Sequence, residues 1–282
     1  MDGFPFTKME GCGNDFVVVY RHHLPSEASP SIAPLLCDRR CGIGADGVLV
    51  IDFEASLSDA DKGVGAIARM TVWNSDGSIA EMCGNGLRCV VRRLAEDGHL
   101  AAESAQVMTG AGLMPVELSG DHIRVAAGRP SLPEGLALRC VRWGEYELRG
   151  LVVSMGNPHF VLFDADLPVG LPDLSQWGPA VEVDAAFPQR TNVEWLQLDS
   201  EVPGRLQMRV WERGVGETQA CGSGACAAAV AARLLGHTDA GPTSVILRGG
   251  TLQVDWSGCE GDLAHIKGPA TTVFAGEWKG QL

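Results

Sequence analysis

The chain repeats itself. The segment MTVWNSDGSIAEMCGNG, starting at Met70, aligns without a gap on MRVWERGVGETQACGSG, starting at Met208. Met70/Met208, Val72/Val210, Trp73/Trp211, Cys83/Cys221, Gly84/Gly222 and Gly86/Gly224 match at one constant offset of 138 residues. A second matched pair lies upstream of each copy. Gly13-Asn14-Asp15-Phe16-Val17 faces Gly156-Asn157-Pro158-His159-Phe160-Val161 at an offset of 143. Chance similarity between two strand-turn-helix units does not hold Trp and Cys in register, nor keep a second motif in order. A duplicated unit restricts the fold severely, because what one half builds the other must build. The sequence predicts two homologous halves, each a strand, a loop, a Cys-Gly-x-Gly turn and a helix.

Local patterns fill in these halves. Short β-branched runs at 15–20, 48–53 and 70–73 read as strands, as do 106–109, 113–118 and 122–126. Further strands are predicted at 138–142, 147–154, 159–163, 206–211, 244–247, 251–255 and 263–266. Leu87, Val90, Val91 and Leu94 recur at helical spacing over 84–96, with Gly98 just beyond the end. An Ala-rich helix over 223–235 is closed by Gly236. The turn-forming stretch Gly128–Gly135 reads as the linker. Many short strands with few long helices predict an α+β fold.

The 282 residues suffice for two ordinary domains, and 45 % apolar composition suffices for two cores. The formal charge of −13 repels phosphate backbones and argues against nucleic acid as a partner. No segment has the apolar length of a membrane span, and the N-terminal residues carry no secretory pattern, so a cytoplasmic location is expected. Nine cysteines are an odd number and too dilute for a disulfide scaffold. Most are expected as thiols packed in the core.

Cys83 and Cys221 escape that expectation. Each stands where a glycine turn enters a helix. Backbone N–H groups are unpaired there and the helix dipole is positive, which favours a thiolate and can hold a carboxylate. Two such halves facing one another would put a thiol on each side of one ligand. That suits inversion of a carbon centre: one thiolate removes a proton and the other thiol returns one to the opposite face. N–H donors would stabilise the charge developing on the carboxylate, and exclusion of water would strengthen the base. A cysteine hydrolase needs one Cys and a His, and gives no reason for two equivalent thiols.

At these residues the chain resembles a known family. Asn74-Ser75-Asp76-Gly77 with Met82-Cys83-Gly84-Asn85-Gly86, and Glu212-Arg213-Gly214 with Ala220-Cys221-Gly222-Ser223-Gly224, are similar to the two signature segments of the diaminopimelate epimerases. Gly13-Asn14-Asp15-Phe16, Asp38-Arg39, Gly42-Ile43-Gly44-Ala45-Asp46-Gly47, Gly156-Asn157-Pro158-His159 and Asn192 follow in the family's order. The resemblance implies a cofactor-independent epimerase that interconverts LL- and meso-diaminopimelate, in lysine and peptidoglycan precursor synthesis. It also implies a homodimer, each chain having two pseudo-symmetric domains with a mainly antiparallel sheet or barrel around a central helix. The expected division is 1–128 with the tail from about 268 to 282, and 129–267, with the active site in the cleft between them.

Roles carry over by position. Cys83 and Cys221 become the acid/base thiols. Gly84, Asn85, Gly222 and Ser223 become the backbone cradle for the carboxylate at the reacting centre. Asn14, Asn74, Asn157 and Asn192 become polar substrate contacts. Arg213 takes the distal carboxylate and Glu212 the distal ammonium, while His159 supports the site without being one of the two bases. Some members carry Gln in place of Gly47.

Competing readings are open at this level. Proline and hydroxyproline racemases share the scaffold, but typically show His after the first Cys-Gly and Asp in the second motif. This chain has Asn85 and Glu212-Arg213 there. Cys37 and Cys41 form a C-x3-C pair with no second pair, a poor zinc signature, and no metal is expected. Cys89 and Cys226, with Trp73 and Trp211, read as core.

Overall fold

The computed structural model describes residues 3–53, 56–100 and 102–280. The chain divides into two compact units, Met1–Val125 with Gly268–Leu282, and Ala126–Lys267.

The first unit is built from β1 (Phe4–Gly11), β2 (Asn14–Tyr20), α1 (Ala33–Cys37), β3 (Gly47–Phe53), α2 (Asp59–Gly63), β4 (Ala68–Asn74), β5 (Ile79–Ala80), α3 (Gly84–Glu96), β6 (Ser104–Thr109), β7 (Gly112–Ser119) and β8 (His122–Gly128). In the second follow β9 (Leu138–Trp143), β10 (Tyr146–Ser154), β11 (Pro158–Phe163), α4 (Leu174–Glu182), β12 (Asn192–Leu198), β13 (Arg205–Glu212), β14 (Gly216–Glu217), α5 (Gly222–Leu234), β15 (Thr243–Leu247), β16 (Gly250–Asp255) and β17 (Ala264–Pro269). The last strand, β18 (Thr271–Trp278), returns to the first unit and pairs antiparallel with β1.

The duplication is visible in the pairing. In the first unit β1–β2 is antiparallel, β2–β3 parallel, β3–β4 and β4–β5 antiparallel, β4–β6 parallel, and β6–β7–β8 antiparallel. The second unit repeats that order through β10–β11, β11–β12, β12–β13, β13–β14, β13–β15 and β15–β16–β17. Each sheet is therefore mainly antiparallel with two parallel joints.

Both long helices have 13 residues and sit inside their own sheets. Helix α3 packs on β1 to β4, β7 and β18, and α5 on β10 to β13, β15 and β16. Helix α5 is buried from Gly224 to Ala232, as an all-apolar helix must be. Its alanines let strands approach on every side. The strands around the helices are sandwiched, so β2 and β3 are buried on both faces from Phe16 to Tyr20 and from Gly47 to Ile51. Such strands read as unbroken apolar runs instead of alternating ones. On the outside of the first sheet, Val17, Val19, Val48 and Val50 pack with Leu36 of α1 and Trp73. Outside the second, Leu174, Trp177 and Val181 of α4 cover Phe160, Leu162 and Val193.

Helix α4 had no counterpart in the sequence reading, because Gly178-Pro179 looks like a turn. It forms because Asp173 caps it, accepting from Ser175 N at 3.1 Å, and because Leu174, Trp177 and Val181 fall on one buried face.

Candidate active site

Each thiol is the N-cap of its helix. Cys83 Sγ accepts from Gly86 N at 3.4 Å, and Cys221 Sγ from Gly224 N at 3.3 Å. The first α-helical bonds follow from Leu87 N to Cys83 O and from Ala225 N to Cys221 O. Among the described residues, the N–H groups of Gly84, Asn85, Gly222 and Ser223 have no protein partner and face outward from the helix starts. The second glycine of each turn is closely packed. A Cβ on Gly86 would lie 2.8 Å from Leu49 Cδ2, and one on Gly224 would lie 2.8 Å from Glu194 Oε1.

Around Cys83 the polar side chains form one connected set. Asn85 Nδ2 donates to Asn14 Oδ1 at 3.2 Å, and the Cys83 thiol reaches the same oxygen at 4.0 Å. Asn14 Nδ2 donates to Asp46 Oδ2 at 2.7 Å. Arg39 grips Asp15 with two bonds, at 2.9 and 2.7 Å, and donates to Asp46 at 2.8 Å. Lys8 also pairs with Asp15. Burial alone would raise the Asp15 carboxyl, but the Arg39, Lys8 and Asp46 contacts prevail and hold it well below the usual carboxylate range. Asn74 lies in the β4–β5 turn, where its Nδ2 donates to Ser78 Oγ at 2.9 Å.

Around Cys221 the neighbours are acidic. The Glu212 carboxylate lies against the thiol and accepts from Thr218 Oγ1. Behind it, His159 Nδ1 meets Glu194 Oε1 at 2.6 Å, and His159 Nε2 meets Asn157 Oδ1 at 3.0 Å. Asn157 Nδ2 donates to Ser223 Oγ at 3.4 Å. The helix start was expected to favour a thiolate at both cysteines. At Cys221 the opposite holds: burial, then the Glu212 and Glu194 carboxylates, push the thiol well above its ordinary value. The Ser223 hydroxyl and Gly224 N–H pull the other way and lose. Burial also raises Glu212.

Asn192 is tied up internally. Its Nδ2 donates to Pro158 O at 3.0 Å and its Oδ1 accepts from Arg213 N at 2.9 Å. Arg213 is exposed and donates Nη1 to Gln189 O at 3.0 Å, with no carboxylate partner among the described residues. Glu182 holds this loop from α4, accepting from Trp211 Nε1 at 2.9 Å and from Gly214 N at 2.8 Å. Gly47 begins β3, where a Cβ would come 2.9 Å from Trp73 O.

Sequence reasoning missed Glu194 and Arg88, both fully buried. The signals were a Glu in the apolar run Val193-Glu194-Trp195-Leu196 and an Arg on the buried phase of α3. Among the described residues no group of three or more His, Cys, Asp or Glu side chains is placed to hold a metal ion. Cys37 is buried, Cys41 is exposed, and Cys89 and Cys226 are core.

Comparison with known proteins decides the family. The sequence model described as Diaminopimelate epimerase matches residues 6–133 and 151–273. The chain belongs to the diaminopimelate epimerase family. The diaminopimelate epimerase of Desulforudis audaxviator (strain MP104C) is 44% identical over 289 residues, covering 97% of this chain and 98% of the relative. That of Pelotomaculum thermopropionicum is 42% identical over 290 residues, with 97% and 98% coverage. Solved structures share the fold at low identity. A hydroxyproline epimerase from Agrobacterium vitis superimposes with TM-score 0.68 at 15% identity, covering 98% of this chain and 93% of that one. A Bacillus anthracis protein of the PhzF family gives TM-score 0.68 at 17% identity, covering 99% of both chains.

Proposed function

We propose that the chain is a diaminopimelate epimerase, interconverting the LL and meso forms by two-base proton transfer at the α-carbon. The matched N-cap thiols carry the reading. Cys83 and Cys221 are each held by a glycine N–H at the start of a buried helix, beside two further N–H donors. One thiolate takes the α-proton, and the other thiol delivers a proton to the opposite face. The α-hydrogen of an amino acid is weakly acidic. The N–H groups of Gly84, Asn85, Gly222 and Ser223 stabilise the charge that builds on the carboxylate.

The remaining roles follow from placement. Arg213 has a guanidinium open to solvent and takes the distal carboxylate. Asn192 acts through it, holding the Arg213 backbone. Glu212 receives a substrate ammonium, and its contact with the Cys221 thiol supports the ammonium at the reacting carbon over the distal one. Asn14 and Asn157 orient the thiol surroundings, His159 braces Asn157, and Asn74 offers its amide oxygen to substrate. No cofactor takes part in this scheme.

The family resemblance supports a cytoplasmic homodimer acting on a small molecule, and the acidic charge argues against nucleic acid as a partner. No helix among the described residues is long and apolar enough to cross a membrane. Incubating the reduced protein with LL-diaminopimelate in deuterium oxide tests the proposal. Meso product carrying deuterium at one α-carbon is expected. Absence of meso product from folded protein with free thiols overturns the assignment, as does equal turnover of L-proline.

A further inference from the structure

Arg88 is out of place by every ordinary rule. It is completely buried on α3. Its Nε donates to Pro269 O at 3.1 Å, Nη1 to Gly84 O at 3.4 Å, and Nη2 to Asn85 Oδ1 at 2.9 Å and Cys12 Sγ at 3.9 Å. All four acceptors are uncharged, and no carboxylate pairs with it among the described residues. A guanidinium stays protonated in proteins. A buried charge without a counter-ion is costly even when hydrogen-bonded. The side chain also leans back over the first turn of its helix, where the dipole is already positive. Both costs fall when an anion occupies the helix start. The reaction brings two anions there, the Cys83 thiolate and the substrate carboxylate.

The contacts are also directional. Because Arg88 occupies Asn85 Oδ1, the Asn85 amide must turn Nδ2 toward Asn14. Asp46 fixes the other end of Asn14. The Asn14 oxygen is thereby held 4.0 Å from the Cys83 sulfur, where it accepts from the protonated thiol and opposes the thiolate, so it is the charge of Arg88 and the helix start that favour the anion.

The second half carries no such cation. The matched position is Cys226, a buried thiol. Instead Glu194 and Glu212 press on Cys221. The two helix starts share a backbone and have opposite buried charge. Other charges near α3 do not cancel Arg88. Lys8 on β1, Asp15 on β2, and Arg39 and Asp46 before β3 bind one another. Glu10 on β1 keeps its charge, which raises Cys12 and Cys89, but its carboxylate is turned to Gly13 N at 2.8 Å and makes no ion pair with Arg88 among the described residues. Glu117 on β7 pairs with Arg124, and Glu277 on β18 with Lys279.

We propose that Arg88 is a positioning residue for the epimerisation: it fixes the Asn85 and Asn14 amides around Cys83, and its buried charge, outweighing the Asn14 acceptor, makes Cys83 the thiolate of the resting enzyme, with Cys221 the thiol. The proposal rests on the two-thiol reading above. It says which thiol is poised as base in the free enzyme, not which way the reversible reaction runs.

Peptide-resolved alkylation by iodoacetamide across pH tests it without substrate. In the wild-type enzyme Cys83 is expected to titrate below Cys221, and the reverse order overturns the proposal whether or not any variant folds. In Arg88→Gln the Cys83 midpoint is expected to rise by about one pH unit or more, while Cys221 is unchanged. Arg88→Lys keeps the charge and is expected to keep most of the low midpoint, with kcat reduced through the loosened amides. Circular dichroism confirms folding of each variant. A Cys83 midpoint in folded Arg88→Gln equal to wild type overturns the proposal, as does an equal rise in Gln and Lys variants. Wild-type conversion of LL-diaminopimelate, measured separately, shows whether the activity itself fails.

Discussion

Glu194 and His159 form a closed pair: Oε1 and Nδ1 meet at 2.6 Å, and neither side chain has any solvent exposure. Parallel pairing of β11 with β12 sets this up, placing His159 opposite Asn192 and Val161 opposite Glu194. His159 Nε2 meets the Asn157 amide oxygen at 3.0 Å, so both ring nitrogens are engaged. The second Glu194 oxygen is buried and has no hydrogen-bond partner among the described residues. Such a pair is expensive to break, because each member strands the other.

Glu194→Ala is therefore expected to destabilise the protein by about 3–5 kcal/mol, read from urea unfolding. Glu194→Gln, which can donate to Nδ1, should cost less. It should also lower the alkylation midpoint of Cys221, since the Glu194 charge is one cause of the raised thiol. An unchanged Cys221 midpoint in a folded Gln variant would remove Glu194 from the site's electrostatics.

Cys83→Ala and Cys221→Ala are each expected to reduce epimerisation by about 10²–10⁴-fold, the usual contribution of a positioned acid or base. Each substitution removes one sulfur from a helix cap, half-buried at Cys83 and buried at Cys221, so near-ultraviolet circular dichroism should stay native. A chiral assay for meso product decides the matter. One variant retaining most of the activity would show that a single thiol suffices.

The duplication, the central helices and both thiols were legible because they are local. A helix phase, a glycine turn and a constant offset survive in one dimension. Arg88 and Glu194 were not, although each breaks an apolar pattern visibly. Their meaning depends on partners far along the chain: Pro269 for Arg88, and His159 for Glu194. Strand β1 was hidden for a related reason. Its Lys8 reads as surface, yet it is buried against Asp15 and Gly44 O. The proton affinity of Cys221 was misjudged because the helix dipole is readable from sequence, whereas burial and two folded-in carboxylates are not.

Arg213→Lys should raise KM for diaminopimelate by about tenfold or more, with kcat less affected. A guanidinium grips a carboxylate through two parallel bonds, and an ammonium cannot. Charge-assisted bonds of this kind contribute about 1.5–3 kcal/mol each. The protein spends one Nη on Gln189 O and leaves the rest of the fork open. Wild-type steady-state kinetics in the Lys variant would place Arg213 outside the substrate contacts.

Glu212 gives a pH test with a definite sign. Its carboxyl is raised above its ordinary value of about 4.5, first by burial, against the opposing hydrogen bonds from Thr218 and Cys221. The native state therefore holds a proton that the unfolded chain has already released, over the interval from about 4.5 up to the raised value. Where the native state binds more protons, stability falls as pH rises. Glu212 thus costs stability above that interval, and the cost disappears below 4.5. Glu212→Gln removes the titration, so the variant should be more stable than wild type at neutral pH, and the difference should shrink as pH falls toward 4.5. The same variant should bind substrate poorly, because the acceptor for an ammonium is gone. Urea unfolding at a series of pH values, set beside KM, separates the two effects. A Gln variant less stable than wild type at neutral pH would mean that the ionised carboxylate is well solvated beside Cys221, and that its burial is not what holds the proton.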